Sequence, residues 1–556
     1  MKKIFILLLC IFSYHASSDE RQPYTAEDRE PCSIYVEDRM PLFGDLHVHT
    51  ALSLDAHTQG TLNTPDDAYR YAKGQSLYLQ PYKEDGTSSR ISKLKQPLDF
   101  AAVTDHAELL GEVRLCTDPE SQKYNSLQCK TYRNFPKLSY FYMNAKASMR
   151  KPLGICGENR ENCLDAAQLP WQETIDAAEQ HYDRSKTCQF STFVGYEWTG
   201  AVYSGNNLHR NVIFESSNVP NQPISFYEAS SRSELWNQLD NDCKEDCDYM
   251  VIPHNSNLSN GFMFEKPTQD EIYLQNTREP LIEIFQHKGS SECAEDPKDP
   301  LCNFEQLPYK DFKSKFSIEF SDIPKSSFAR NALGQGLLIK KTQNVNPFKF
   351  GFIGSTDTHL GTPGLVDEQV FDGHGGAGKS FRESIPDGLP DDIEFNPGGL
   401  AVVWAEENSR TSIFSALKRK EVYGTSGPRF LVRFFLGDDL DENLCNRSDA
   451  ISHAYENGVP MGGTVKSNSM KKVKLFVSAS SDLSNDKQYI EKLQVIKGVI
   501  KNGEVETSIY DVKTSEPTTL DLNTCEVVGS GARSMCTLWE DKDFNKGDEA
   551  YYYVRV

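Results

Sequence analysis

His47-Val48-His49 places two imidazoles two residues apart. In an extended strand, residues i and i+2 share a face, so both rings can reach one metal ion. The pattern recurs along the chain, where short apolar runs end in a His, Asp or Glu. Leu98–Val103 leads into Asp105-His106, and Phe193–Tyr196 leads into Glu197. Met250–Pro253 leads into His254, and Phe350–Gly354 leads into Asp357 and His359. His209 breaks the pattern by preceding its run, Asn211–Phe214. Imidazoles and carboxylates together suit borderline divalent ions such as zinc, manganese or iron. Neighbouring ions of that kind acidify a shared water and stabilise charge on a phosphoryl group under in-line attack. Such chemistry needs no protein nucleophile.

Around these ligands lie further candidates. His287-Lys288 ends the apolar run Ile282–Phe285 and is expected to open onto the same face. His287 is a candidate general acid for the leaving oxygen, and Lys288 and Arg210 are candidate anion binders. Each of the three also has a plain reading as an ion-paired or surface residue. Asp45 and Asp105 read equally well as carboxylates that orient imidazole N–H groups or as loop caps. Gly373–Ser380 fits the phosphate-loop expression, but the run before it is a poor strand and Pro386 interrupts any following helix. A glycine loop is the better reading, with Lys379 able to touch a substrate.

The elements that must position these residues alternate. Continuous apolar runs read as buried parallel strands. Helical stretches fall between them. Thr64 caps one, with Pro65 at its first position and Gly74 at its end. Trp171–Tyr182 is a second, Thr268 and Glu271 form a capping box for a third, and Ser412–Glu421 is a fourth. Strand–helix alternation predicts an α/β fold with a parallel sheet. Ligand-bearing ends spread over some 390 residues favour a closed barrel over an open doubly wound sheet, because closure brings all strand ends to one point. After Arg429 helical periodicity is scarce and five strand-like runs follow: Phe430–Leu436, Val473–Ala479, Ile490–Val499, Val505–Val512 and Tyr551–Val556. Residues 431–556 are expected to form a small β-sandwich. The Gly-, Pro- and Asp-rich stretch 360–399 has the character of a binding loop or lid.

The 556 residues carry a formal charge of −21, which argues against binding nucleic acid through its phosphates. Lys2 and Lys3, an apolar run to Phe12 and Ala16-Ser17-Ser18 read as a secretory signal peptide over 1–18, followed by an extension over 19–37. No later run is long enough for a membrane span. The expected location is periplasmic or extracellular, where cysteines pair. Near-neighbour spacing suggests Cys116/Cys129, Cys156/Cys163, Cys243/Cys247, Cys293/Cys302 and Cys525/Cys536, with Cys243/Cys247 a loop staple rather than half a zinc site.

Phe43–Thr50, with Ser53 and Asp55, then Thr104-Asp105-His106 and Asp357-Thr358-His359, resembles the polymerase-and-histidinol-phosphatase (PHP) superfamily. Leu62–Gly74, Ile252–Gly261, Gln286–Glu292 and Tyr423–Gly427 more narrowly resemble the PHP-like DUF3604 family. The resemblance covers nearly the whole chain after the signal peptide. It implies a distorted (β/α)7 barrel over 38–430, with insertions near 80–95 and 115–165. It also implies two or three divalent ions. His47, His49, Glu197 and Asp357 would hold one. Glu197, His209 and His254 would hold a second, with Glu197 bridging, and Asp55, His106 and His359 a third. His57 competes with Asp55 for its role. The expected activity is an exported metal-dependent hydrolase, a phosphoesterase acting on a small anionic phosphate ester. Two readings stay open beside it: hydrolysis of an amide, lactone or sulfate ester by the same centre, and a non-catalytic metal-stabilised envelope-binding module.

Overall fold

The computed structural model describes residues 29–202, 205–244, 246–314, 322–367, 373, 395–485, 488–516, 519–521, 524, 526–529 and 531–556. The expected signal peptide, Cys525, Lys379 and almost all of the glycine stretch lie outside the described residues.

Nine of the strands in the first part of the chain carry the site. They are β1 (Met40–Asp45), β2 (Phe100–Val103), β3 (Ser191–Trp198), β4 (Arg210–Phe214), β5 (Tyr249–Pro253), β6 (Leu281–Gln286), β7 (Gly351–Gly354), β8 (Leu400–Ala405) and β9 (Val422–Thr425). Seven form one curled sheet in the order β9-β8-β1-β2-β3-β4-β5. Strands β6 and β7 pair in parallel in a second, three-stranded sheet. That sheet adjoins both edges of the first, β6 beside β5 and β7 beside β9. One apolar cluster takes side chains from all nine strands, among them Leu42, Phe100, Phe193, Ile213, Ile252, Leu281, Ile353, Ala401 and Val422. The curl therefore wraps a single core. Helix α6 (Arg410–Arg419) adds Ile413, Phe414 and Leu417 to it.

The parallel expectation needs correcting. Within the seven-stranded sheet only β1–β2 and β2–β3 run parallel. The other four pairings are antiparallel. Eleven residues link Trp198 to Arg210; among the described ones Ala201–Val202 pairs with Asn206–Asn207 in a small hairpin and none is helical. A parallel return needs a longer crossover.

Helices pack on the outer face. Helix α2 (Pro65–Ala72) follows a capping box between Thr64 and Asp67, with Pro65 at its start and Gly74 beyond its end at φ +87°. It follows the short helix α1 (Leu54–Thr58). Helix α3 spans Leu110–Thr117, and α4 runs over Glu161–His181. The latter starts ten residues before its expected start, because Pro170 is accommodated inside the helix. Ala68, Tyr69, Ala72, Trp171, Ala177 and Ala178 pack against Val103, Val194, Tyr196 and Phe214. The insertion between α3 and α4 holds two further helices, Leu127–Asn134 and Pro136–Ser148, stapled by Cys116–Cys129 and Cys156–Cys163.

The C-terminal part contributes β10 (Leu431–Gly437), β11 (Lys474–Ser480), β12 (Lys492–Lys501), β13 (Glu504–Thr514), β14 (Ser534–Glu540) and β15 (Ala550–Arg555). One antiparallel sheet contains β10-β11-β14 and another β13-β12-β15. Val432, Leu475, Val477, Leu493, Val495 and Met535 form a cluster between them. Tyr551 and Tyr553 lean on the hydrophobic cluster around α5 (Ala329–Gln343), while the Tyr552 hydroxyl donates to Asp541 from the other side.

Four of the five expected cysteine pairs form. The fifth is a correction. Cys536 pairs with Cys445, 91 residues away, and Cys32 pairs with Cys188 across 156 residues. The fold, not sequence proximity, brings those partners together. Among the described residues no helix is long and apolar enough to cross a membrane.

Candidate metal centre

The mixed strand directions explain how the candidate ligands meet. Strands β1, β2, β3 and β5 end at one rim of the curled sheet, and β4 runs against β3 and β5. The start of β4 therefore lies at the rim where the others end. His209, just before β4, comes beside Glu197 near the end of β3 and His254 just after β5. A ligand that precedes its strand is what an antiparallel strand requires here. His47 and His49 follow β1, His106 follows β2, and Asp357 and His359 follow β7. Asp357 sits at φ +55°, a left-handed conformation that Asp tolerates better than most residues. Asp55 comes from α1, which packs against the helix Pro136–Ser148.

Glu197 is the centre of the cluster. Its Oε2 lies 3.3 Å from each of His47 Nε2, His49 Nε2 and His106 Nδ1. Its Oε1 lies 2.7 Å from His209 Nδ1 and 3.2 Å from His254 Nε2. Asp357 Oδ1 lies 3.3 Å from His47 Nε2 and 3.1 Å from His49 Nε2. Asp55 Oδ2 lies 2.7 Å from His106 Nε2 and 3.0 Å from His359 Nε2. Ligand atoms within 4.8 Å of one another form several triads: His47, His49 and Asp357; His47, Glu197 and His254; His49, His106 and His359; His287, Asp357 and His359.

The electrostatics fit a cation. Burial raises the Glu197 carboxyl, but His106, His254 and His209 together hold it well below the ordinary range. Asp55 is likewise held low against burial by His106 and His359, and Asp357 by His47, Lys288 and His287. Burial lowers His254 and His359 and drives His209 to about 4, leaving neutral rings with a lone pair. His106 is pushed up to about 10, the carboxylates of Asp55 and Glu197 overcoming its burial. His49 Nε2 is buried and makes no hydrogen bond, although it faces two carboxylate oxygens. The carboxylates likewise raise His47 and His49 against burial, so ionised carboxylates face three rings held protonated and three held neutral, and a divalent ion would replace those protons on the same donor atoms.

A family model for DUF3604, described as a protein of unknown function, matches residues 36–556. The chain belongs to the DUF3604 family. No curated protein matches it. A solved structure from Bacteroides vulgatus ATCC 8482, described as a two-domain protein containing a predicted PHP-like metal-dependent phosphoesterase, is similar over 94% of this chain and 93% of its own. The identity is 12% and the TM-score 0.31, so nothing further rests on that likeness.

In this DUF3604 chain all nine residues expected as ligands meet at the rim. His287 and Lys288 meet them too. His287 Nε2 lies 3.2 Å from Asp357 Oδ2, and the Lys288 ammonium pairs with the same carboxylate. Arg210 does not. Its guanidinium is buried beside Glu279, with Nε donating at 2.7 Å, on the strand face opposite the enclosed core. The anion-binding expectation for Arg210 is therefore withdrawn in favour of its ion-paired reading. His57 turns away from Asp55's position and its Nδ1 meets the Tyr132 hydroxyl at 2.8 Å. His181 is buried away from the centre and faces Asp66 at 2.7 Å.

Asp45 and Asp105 act as loop ties. Asp105 accepts the Thr50 N–H and hydroxyl, both at 2.6 Å. Asp45 accepts from Thr356, Gly364 and the His47 backbone. The residue that sequence reasoning passed over is Glu283. Its carboxylate meets His47 Nδ1 at 3.1 Å, and so turns Nε2 toward Glu197 and Asp357. The signal was present: a lone carboxylate inside the apolar run Ile282–Phe285 needs a buried partner. Ser53 plays the corresponding part for His49, with its Oγ 3.1 Å from Nδ1.

Proposed function

We propose that this protein is an exported, multinuclear metal-dependent hydrolase, a phosphoesterase acting on small phosphate esters. The observation that carries the reading is the split of Glu197 between two imidazole sets, Oε2 toward His47, His49 and His106 and Oε1 toward His209 and His254. A carboxylate so placed suits a bridge between ions. In this reading His47, His49, Glu197 and Asp357 hold one ion of zinc, manganese or iron. Glu197, His209 and His254 hold a second, and Asp55, His106 and His359 a third. When bound, such ions supply Lewis acidity toward a phosphoryl oxygen and acidify water.

The chain's own residues do the rest. Glu283 and Ser53 fix the rings of His47 and His49. Lys288 is half-buried at the rim and gives an anionic substrate a cationic contact in place of Asp357. His287 stands beside it as the proton donor to the leaving oxygen. The scaffold is read as a closed (β/α)7-type barrel over 38–430 carrying a C-terminal β-sandwich over 431–556. The adjoining sheet edges and the cluster between the two C-terminal sheets support that reading. Six disulfides support export, since such bonds persist in oxidising compartments.

The test combines metal analysis of the purified protein with reporter phosphate, sulfate and carboxyl esters. At least two divalent ions per chain and a preference for phosphate are expected. His49→Ala and Asp357→Ala should each lower turnover about a hundredfold or more, with the circular-dichroism spectrum unchanged. Fewer than two ions per chain would sink the multinuclear reading, and a preference for sulfate or carboxyl esters would sink the phosphoesterase one.

A further inference from the structure

A cavity lies away from the metal centre, between the nine-stranded part and the C-terminal sheets. Its volume is about 910 Å³, within the range of sites that enclose small ligands. None of the metal-centre residues lines it. Leu333 and Leu337 of α5 line it together with Phe434 of β10 and Tyr551 of β15, whose hydroxyl donates to the Arg330 carbonyl of α5 at 3.2 Å. Lys349 and Lys420 also line it, and both are half-buried. Among the described residues neither ammonium has an ion pair or hydrogen bond. Burial lowers both, and each is disfavoured further by a neighbouring lysine, Lys340 for Lys349 and Lys349 for Lys420. Lys340 differs, since Glu549 takes it at 3.3 Å.

Unpaired cations in a partly desolvated place are costly unless something answers them. Their presence is more notable in a chain of net charge −21, which has acidic residues to spare. The apolar walls call for an apolar body, and the lysine pair calls for one negative head group. We propose that this cavity binds an anionic amphiphile, with a carboxylate or phosphate head against Lys349 and Lys420 and an apolar tail between α5 and the C-terminal sheets. Acidic Asp548 and Glu549 also border the cavity, so the head group belongs at the Lys349 and Lys420 side.

Isothermal titration of the full-length protein tests this with four probes: laurate, dodecyl phosphate, a neutral dodecyl glycoside and inorganic phosphate, all kept below micelle formation. Both anionic amphiphiles should bind at least ten times more tightly than the neutral one. Inorganic phosphate should not displace laurate. The double variant Lys349→Gln/Lys420→Gln should weaken laurate binding at least tenfold and leave the neutral probe unchanged. A thermal melt matching the wild type certifies that this variant is folded. Equal binding of neutral and anionic probes, or laurate binding that survives the double variant, overturns the proposal. So does laurate binding lost in Asp357→Ala, which would place the ligand at the metal centre. Absence of laurate binding by the folded wild type also overturns it.

Discussion

Glu283 fixes which nitrogen His47 offers to the centre. With Nδ1 held at 3.1 Å by this carboxylate, Nε2 faces both Glu197 and Asp357. Glu283→Gln keeps the shape but replaces a charged acceptor with an amide free to flip. Metal affinity should fall about 10- to 100-fold, read by chelator competition, while secondary structure is retained. Unchanged affinity would mean that packing alone holds the ring. Most of the ligands were legible because they follow an apolar run, where type and position point the same way, whereas His209 precedes its run and Asp55, in a helix, came only from the family resemblance. Arg210 was misread because it adjoins His209. Successive strand residues point to opposite faces, so adjacency to a ligand argues against sharing its pocket. Glu283 went unassigned because it lies inside its strand instead of at the end.

At the scale of elements, β1 and β2 must approach closely to bring His47, His49 and His106 to one rim. Gly44 makes this possible. It pairs with Phe100 across the parallel ladder, and a Cβ there would meet the Phe100 ring at 2.4 Å. Gly44→Ala should therefore destabilise the fold by about 1–3 kcal/mol, seen as a lower melting temperature. An unchanged melt would show that the Phe100 ring has room to move. The existence of most of these elements was legible, since capping boxes and apolar runs are local signals. Strand direction was not. It depends on which strands become neighbours, and the hairpin between β3 and β4 leaves no helix to announce it. Cys445–Cys536 and Cys32–Cys188 escaped for the same reason, being products of tertiary neighbourhood.

Across the whole molecule, the last strand is tied back to the loop after β6 by a buried charge network. Arg555 donates to Asp299 at 2.6 Å, and Arg330 of α5 donates to the same carboxylate at 2.8 Å. Arg330 and Tyr553 also reach Glu292, each at 2.7 Å. Tyr553 of this network also lines the cavity described above, and the contacts help set how the C-terminal sheets sit on the rest. Burial raises the Asp299 carboxyl, but hydrogen bonds from Arg555 and Arg330 outweigh it and hold the group below its ordinary value. A carboxyl depressed in the folded state stabilises fully above its unfolded pKa of about 3.9 and loses that contribution as pH falls through the folded value. Asp299→Asn should lower stability at pH 7 by about 1–3 kcal/mol. The melting temperatures of wild type and variant should then converge as the pH is lowered below about 4, because only the wild type has this charge to lose. A gap that stays constant from neutral to strongly acidic pH would mean that the network holds the C-terminal strand by shape and not by charge.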